Sequence, residues 1–174
     1  MAYALFTTAF GTCGISWDRA ALTGFQLPGQ TEALTQKRLA PAGGAGLAEG
    51  EAPEWVRGVI ARVRRHLEGD LQDFADLSLD WRLVSEFQRA VYLKTQAIRP
   101  GFKKSYGDVA KAIALGPESA RAVGVALARN PWPLLVPCHR VVSASDKMTG
   151  FSAPGGVRTK TRLLALEGAE LLSE

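Results

Sequence analysis

Few residues of this chain could do covalent chemistry: two cysteines, Cys13 and Cys138, and two histidines, His66 and His139. Cys138 and His139 are neighbours within Pro137-Cys138-His139-Arg140-Val141-Val142. A thiol attacks only as thiolate, and a nearby base, cation or helix N-terminus lowers its pKa. His139 and Arg140 adjoin Cys138, and a helix starting after Pro137 would complete the set. Adjacent residues on a helix do not face each other, so His139 is not placed to grip Cys138 directly. A bridging water, with a carboxylate holding the imidazole from behind, is the relay such a pair allows. A lone cysteine is more often a small buried hydrophobe, and residue logic alone weights the reactive and buried readings of Cys138 equally. Cys13 is read as an ordinary packed residue, and His66 as one more residue near the end of a helix.

With two cysteines and two histidines there is no CxxC pair, no disulfide framework, and no four-ligand Cys/His zinc site within one chain. Neither a metal nor a cofactor is expected. The first residues are apolar but lack the basic start and small-residue cleavage site of a secretory signal. No apolar run approaches the roughly 20 residues of a membrane helix. A soluble, intracellular protein without membrane contact is expected.

The 174 residues suffice for one ordinary domain or two small ones, and 47% hydrophobic residues can supply a core. Charge is unevenly spread. Residues 1–85 hold 8 Lys/Arg against 10 Asp/Glu, and residues 86–174 hold 13 against 7. The basic second half suits a polyanion, although a solvated basic surface would look the same.

The elements that must position Cys138 follow from pattern. Tyr3–Phe10, Thr12–Trp17 and Ala21–Gln26 read as strands. Thr31 can cap a helix to Leu39, and the Gly/Ala/Pro-rich residues 41–53 read as a loop. Val56, Ile60, Val63 and Leu67 recur at helical spacing, predicting an amphipathic helix Glu54–Leu67 whose Arg57, Arg62, Arg64 and Arg65 form a solvated face. Ser85 can cap a helix carrying Phe87, Val91 and Tyr92. Ser105-Tyr106-Gly107-Asp108 has the form of a capping box opening a helix to about Leu115. Gly116 breaks it, and Pro117 is placed to begin the next, Glu118–Arg129. Two short helices about a tight turn outline a helix-turn-helix, a weak signal by itself. In the second, Ala120, Ala122, Gly124 and Ala126 remove bulk around one long cation, Arg121, which suits close approach to a neighbouring helix or to DNA.

SYGDVA at 105–110, ARAVGVAL at 120–127, RNP at 129–131, PCHRVV at 137–142, GFS and GG at 150–156, and LLALEG at 163–168 occur in one order. Together they resemble the O6-alkylguanine-DNA alkyltransferase family, densely over residues 86–168 and diffusely before. The resemblance implies an α+β fold: an N-terminal sheet-and-helix (RNase H-like) domain, 1–85, and a helical winged-helix-like domain, 86–174, that binds DNA and accepts the alkyl group. It implies single-turnover transfer of an alkyl group from O6-alkylguanine in double-stranded DNA, with O4-alkylthymine as a further substrate, to Cys138 after base flipping. His139 and Glu167 would form the relay, and Asn130 would tie the helix-turn-helix to the acceptor segment. Tyr106 would assist nucleotide rotation and donate to the base, and Ser152 would face the guanine oxygen. Pro133, Val141 and Phe151 would wall the pocket. Arg121, between Ala120 and Ala122, would enter the DNA stack from the minor groove. A cytoplasmic monomer (nuclear in a eukaryote) is the corresponding expectation.

The chain departs from the family pattern at Phe151, where a tyrosine is usual, and at the inserted Ala153-Pro154. Tyr92 stands for a tryptophan, and Arg99-Pro100 for a more usual pair. Three competing readings are a non-repairing binder of alkylated guanine, a Cys-His-Glu hydrolase and a helix-turn-helix regulator. The first lacks the cysteine, the second needs direct Cys–His contact, and the third needs base-reading side chains where this chain has alanines.

Overall fold

The computed structural model describes residues 1–39, 44–144 and 156–169. The chain forms two compact units, Met1–Gln72 with Asp76–Asp80, and Asp73–Ala75 with Trp81–Glu174. It is an α+β fold with a small mixed sheet. Among the described residues no helix is long and apolar enough to cross a membrane.

In the first unit, β1 (Ala2–Thr8), β2 (Gly11–Asp18) and β3 (Ala21–Gln26) form an antiparallel meander. Gly11, at φ 114°, supplies the left-handed residue that the tight β1–β2 turn requires. Paired residues of antiparallel strands share a face, so Phe6 and Cys13 lie together, as do Leu5 and Gly14. Helix α1 (Glu32–Leu39) covers the second face: a Cβ on Gly14 would come within 2.7 Å of Leu39. Thr31 caps this helix, its hydroxyl accepting from the Leu34 amide at 3.2 Å.

Residues 45–47, expected within a loop, form a short strand β4 (Ala45–Leu47) parallel to β1, giving the order β3-β2-β1-β4. Pairing with β1 overrides the poor strand propensity of Ala-Gly-Leu. Helix α2 spans Glu54–Leu67, with Val56, Val59, Ile60, Val63 and Leu67 buried. Its arginines are not simply solvated, a correction to the sequence reading. Arg64 grips Glu49 with both terminal nitrogens and donates to the Thr7 carbonyl, while Arg62 pairs with Asp76 and Arg65 with Asp70. His66 is fully buried, its Nδ1 accepting from the Gln72 amide at 2.9 Å, so it closes the turn after α2.

The second unit holds α3 (Glu86–Gln96), β5 (Lys104–Ser105), α4 (Tyr106–Ala112), α5 (Ala120–Ala128), β6 (Val141–Val142) and α6 (Gly156–Leu166). Ser85 and Gln88 make a reciprocal capping box on α3, and Ser105 and Asp108 make one on α4. Helix α4 ends three residues earlier than its pattern suggested. Ala114 adopts φ 64°, and the Leu115 amide bonds back to the Ala110 carbonyl at 2.9 Å, a Schellman-type stop. Pro117 opens a 3₁₀ turn, Pro117–Ser119, and the α-helix proper begins at Ala120. The core gathers around Trp132, whose ring meets those of Trp81 and Tyr92 edge-on at 5.5 and 6.3 Å. Tyr92, in the tryptophan's place, donates from its hydroxyl to the Ala126 carbonyl at 2.5 Å, tying α3 to α5.

Candidate active site

The segment after α5 is built to hold Cys138 still. Leu134 sits at φ 78°, a costly conformation for a branched side chain, kept by a turn in which the Val136 amide bonds to the Trp132 carbonyl at 2.8 Å. Pro137, at φ −79° and ψ 66°, forms an inverse γ-turn that brings the Cys138 amide 2.7 Å from the Val136 carbonyl. Asn130 clamps this segment from its N-terminal side. Its Nδ2 donates to the Val136 carbonyl and its Oδ1 accepts from the Trp132 amide, both at 2.9 Å.

Cys138, His139 and Arg140 occupy one 3₁₀ turn rather than the start of an α-helix. That turn separates their side chains. His139, fully buried, donates from Nε2 to Glu167 Oε1 at 2.8 Å, and Glu167 lies just beyond α6. A neutral imidazole with its proton on Nε2 is an acceptor at Nδ1. Glu167 is shared. Arg140 donates to it through Nε at 2.9 Å and Nη2 at 2.7 Å, and its Nη1 reaches the Ile98 carbonyl at 2.7 Å. Gly101 fits beside this knot at φ 90°, where a Cβ would press on the Glu167 carbonyl at 3.2 Å.

The electrostatics differ from the sequence expectation. Burial pushes the Cys138 thiol above its ordinary range, opposed by the Asn130 hydrogen bond, the Lys160 charge and backbone hydrogen bonds at Cys138 and His139. Arg140 does not serve the thiol as a free cation, because Glu167 engages it. A thiol shifted in this direction would have to lose its proton before it could act as a nucleophile. Burial pushes the Cys13 thiol up to about 12, and Thr8 is its hydrogen-bond neighbour at 3.7 Å. It sits in the sheet of the other unit.

The remaining candidates fall into two groups. Val141 and Pro133 are buried on either side of the Cys138 turn along the chain. Tyr106, the first residue of α4, lies half-buried beside Gly124 of α5, where an added Cβ would meet its ring in ordinary contact at 3.8 Å. Ala120 is half-buried and Arg121 and Ala122 are exposed, so the start of α5 with its one long cation faces outward, whereas Ala126 is buried. Phe151, Ser152 and Ala153-Pro154 lie outside the described residues. Sequence reasoning missed Arg140's bidentate grip on Glu167, and it missed Lys160. That lysine is fully buried in α6 and donates to the Val141 carbonyl at 2.8 Å. The available signal was its place on the stripe 160, 163, 164, 167. Among the described residues no group of three His, Cys, Asp or Glu could hold a metal ion.

This arrangement, a shielded cysteine next to a carboxylate-held histidine, with the two short helices α4 and α5 joined by a tight turn, defines a class that comparison with known proteins identifies. Residues 86–169 match the model of the 6-O-methylguanine DNA methyltransferase DNA-binding domain. A methylated-DNA–protein-cysteine methyltransferase of Mycolicibacterium paratuberculosis is 44% identical over 117 residues, covering 67% of this chain and 68% of that one. Its counterpart in Mycobacterium bovis is 33% identical over 165 residues, covering 95% and 91%. The structure of Mycobacterium tuberculosis OGT in complex with DNA superposes with a TM-score of 0.79 at 30% identity, covering 97% of this chain and 93% of that one. The chain belongs to the methylated-DNA–protein-cysteine methyltransferase family.

Proposed function

We propose that this protein repairs O6-alkylguanine in double-stranded DNA by moving the alkyl group, once and irreversibly, onto Cys138. The observation that carries this reading is the buried relay: Glu167 holds His139, and Asn130 holds the segment that presents Cys138. The named activity of the family relatives, methyl transfer from DNA to a protein cysteine, supports it.

With Nε2 on Glu167, His139 offers Nδ1 to the thiol proton through a bridging water. The Cys138 sulfur attacks the alkyl carbon, the S–C bond forming as the C–O6 bond breaks. The bonding pair leaves on guanine, which takes up a proton, with Tyr106 and Ser152 as donors to the departing base. The product is a thioether, which water does not hydrolyse, so each molecule acts once.

A base inside a duplex cannot reach a buried thiol, so it is flipped out, most cheaply where alkylation has weakened its pairing. Ala120 and Ala122 allow α5 close to the minor groove, and Arg121 fills the space the nucleotide leaves. Pro133, Val141 and Phe151 wall the pocket. O4-alkylthymine, with a similarly placed alkyl group, is a further substrate of the same site. The reading includes an RNase H-like domain over residues 1–85 and a winged-helix-like domain over residues 86–174, in a monomer working in the cytoplasm, or the nucleus of a eukaryote.

Incubation with a duplex carrying labelled methyl on guanine O6 tests this directly. One label per chain, stable on denatured protein, is the expected result. Label released to solvent would mark a hydrolase, and label left on DNA a binding module; either outcome contradicts the reading. Arg121→Ala should slow transfer from duplex about tenfold or more while changing transfer from a methylated single strand far less, because little pairing is broken there. Equal losses on both substrates would remove Arg121 from base flipping.

A further inference from the structure

Within the second unit, the end of α3 and one side of α4 border a groove of about 600 Å³ that the relay does not use. Its floor is apolar. Ile98 and Val109 are buried beneath it, with the small side chains of Ala97 and Ala112 beside them. Phe102 stands on its wall at 64% exposure, the most exposed large hydrophobic side chain among the described residues. A turn fixes that ring's place: Gly101 adopts φ 90°, and the Phe102 amide bonds to the Arg99 carbonyl at 3.1 Å. An aromatic ring held in water next to an apolar floor makes a continuous apolar patch, and such patches mark interaction surfaces.

The same groove carries four exposed cations, Lys94 on α3, Arg99 in the loop after it, Lys104 on β5 and Lys111 on α4. The carboxylate among the described lining residues, Asp108, is engaged in the cap of its own helix, its Oδ2 accepting from the Ser105 amide at 2.9 Å. An apolar centre with a charged rim is the anatomy of a recognition site. Its complement is an acidic segment bearing an apolar anchor. Phosphates of DNA would answer the cations but leave the floor and Phe102 in water. At 3.6 residues per turn, moreover, Asp108, Lys111 and Ala112 lie on the side of α4 opposite Tyr106 and Ala110. The groove therefore lies away from the Tyr106 side, which the repair reading gives to DNA.

We propose that this groove is a docking site for an acidic peptide segment of another protein, one aromatic or aliphatic side chain of which packs on Ile98, Val109 and Phe102. The carboxylates flanking that anchor meet Lys94 and Arg99 on one wall and Lys104 and Lys111 on the other. A groove of this volume takes one or two side chains and not a folded domain, so the partner presents an extended segment and binds transiently. The proposal goes beyond alkyl transfer and does not depend on it.

The test is fluorescence anisotropy with the full chain and a labelled synthetic peptide, Asp-Glu-Asp-Phe-Asp-Glu, at physiological ionic strength. Saturable micromolar binding is expected. Replacing the peptide's Phe by Ala should weaken it about tenfold or more, and Phe102→Ala in the protein should do the same. That variant removes an exposed ring and leaves the core intact. The double change Lys94→Glu with Lys111→Glu should weaken binding at least about tenfold. Lys37→Glu with Arg57→Glu, an equal change of net charge at exposed positions of the first unit, should leave it within about twofold.

No saturable binding, or equal affinity for the peptides with and without the anchor, overturns the proposal, since charge alone would then be at work. So does a Phe102→Ala variant that binds like the parent. The other occupants are separated in the same experiment. Unmodified duplex DNA that displaces the peptide one for one would make the groove a phosphate track. Self-association of the full chain in sedimentation, abolished by the Lys94→Glu and Lys111→Glu change, would make it an interface between copies. Either result contradicts a peptide site. Because no alkylated DNA is present, failure here leaves the repair reading standing, and failure of Cys138 to accept an alkyl group leaves this one standing.

Discussion

Cys138→Ser is expected to lower alkyl transfer by at least roughly a thousandfold while leaving affinity for duplex DNA within a few-fold. The hydroxyl occupies nearly the same space in a side chain only 7% exposed, so the turn and its Asn130 clamp should survive. What is lost is ionisation: a hydroxyl yields no useful anion near neutral pH, whereas the thiol needs only the relay and the charges around it. Transfer should also rise with pH in the parent protein, because burial holds the Cys138 thiol above its ordinary range and only the ionised sulfur attacks. Labelled-duplex transfer and a gel-shift titration on the same preparations separate chemistry from binding. A serine variant that transfers at a tenth of the parent rate, or fails to bind, would show that the residue acts otherwise.

Glu167→Gln should have the second largest effect, and it should be double. The carboxylate is buried and accepts from His139 and from two nitrogens of Arg140, itself 4% exposed. Removing one member of a buried pair leaves the other's charge uncompensated, at a cost of about 3–5 kcal/mol. Unfolding in denaturant should therefore shift to distinctly lower concentration. Below that threshold the folded variant should transfer more slowly, the deficit shrinking at high pH where the thiol ionises unaided. His139→Ala removes the relay without exposing Arg140's charge, and should show the kinetic loss with a smaller stability loss. Should Glu167→Gln unfold like the parent, the Arg140 pair contributes little. A kinetic loss independent of pH would mean that the carboxylate does not act through the thiol proton.

Much of this was legible in the sequence, and the reasons differ by residue. Helix α2 could be read to its ends because Val56, Ile60, Val63 and Leu67 mark a face that only burial explains. The α3 and α4 caps could be read because Ser85 and Ser105 meet their partners within one turn. Strand β4 could not: Ala45-Gly46-Leu47 has no strand pattern, and its pairing with β1 is a tertiary matter. The end of α4 depends on Ala114 taking a left-handed conformation, which no residue type there announces.

At the site, the Cys138–His139 pair was visible as adjacent residues, but its meaning was not. The partner Glu167 lies 28 residues downstream of His139 and came only from family resemblance. Arg140 read as a cation beside a thiol, and instead it belongs to the carboxylate. Lys160 was passed over because a lysine in a helix is by default solvated. Its place on an apolar stripe was the clue, and only folding shows that the stripe runs beneath Val141 and Tyr106.

The central claim, that Cys138 and not Cys13 receives the alkyl group, is tested most directly by mapping the modified peptide. After reaction with a duplex bearing isotopically labelled O6-methylguanine, the protein is digested and sequenced by tandem mass spectrometry. The account predicts one added methyl per chain, on the sulfur of the peptide containing Pro137-Cys138-His139, with the Cys13 peptide unmodified. A methyl group on Cys13, or on any residue other than Cys138, would contradict it.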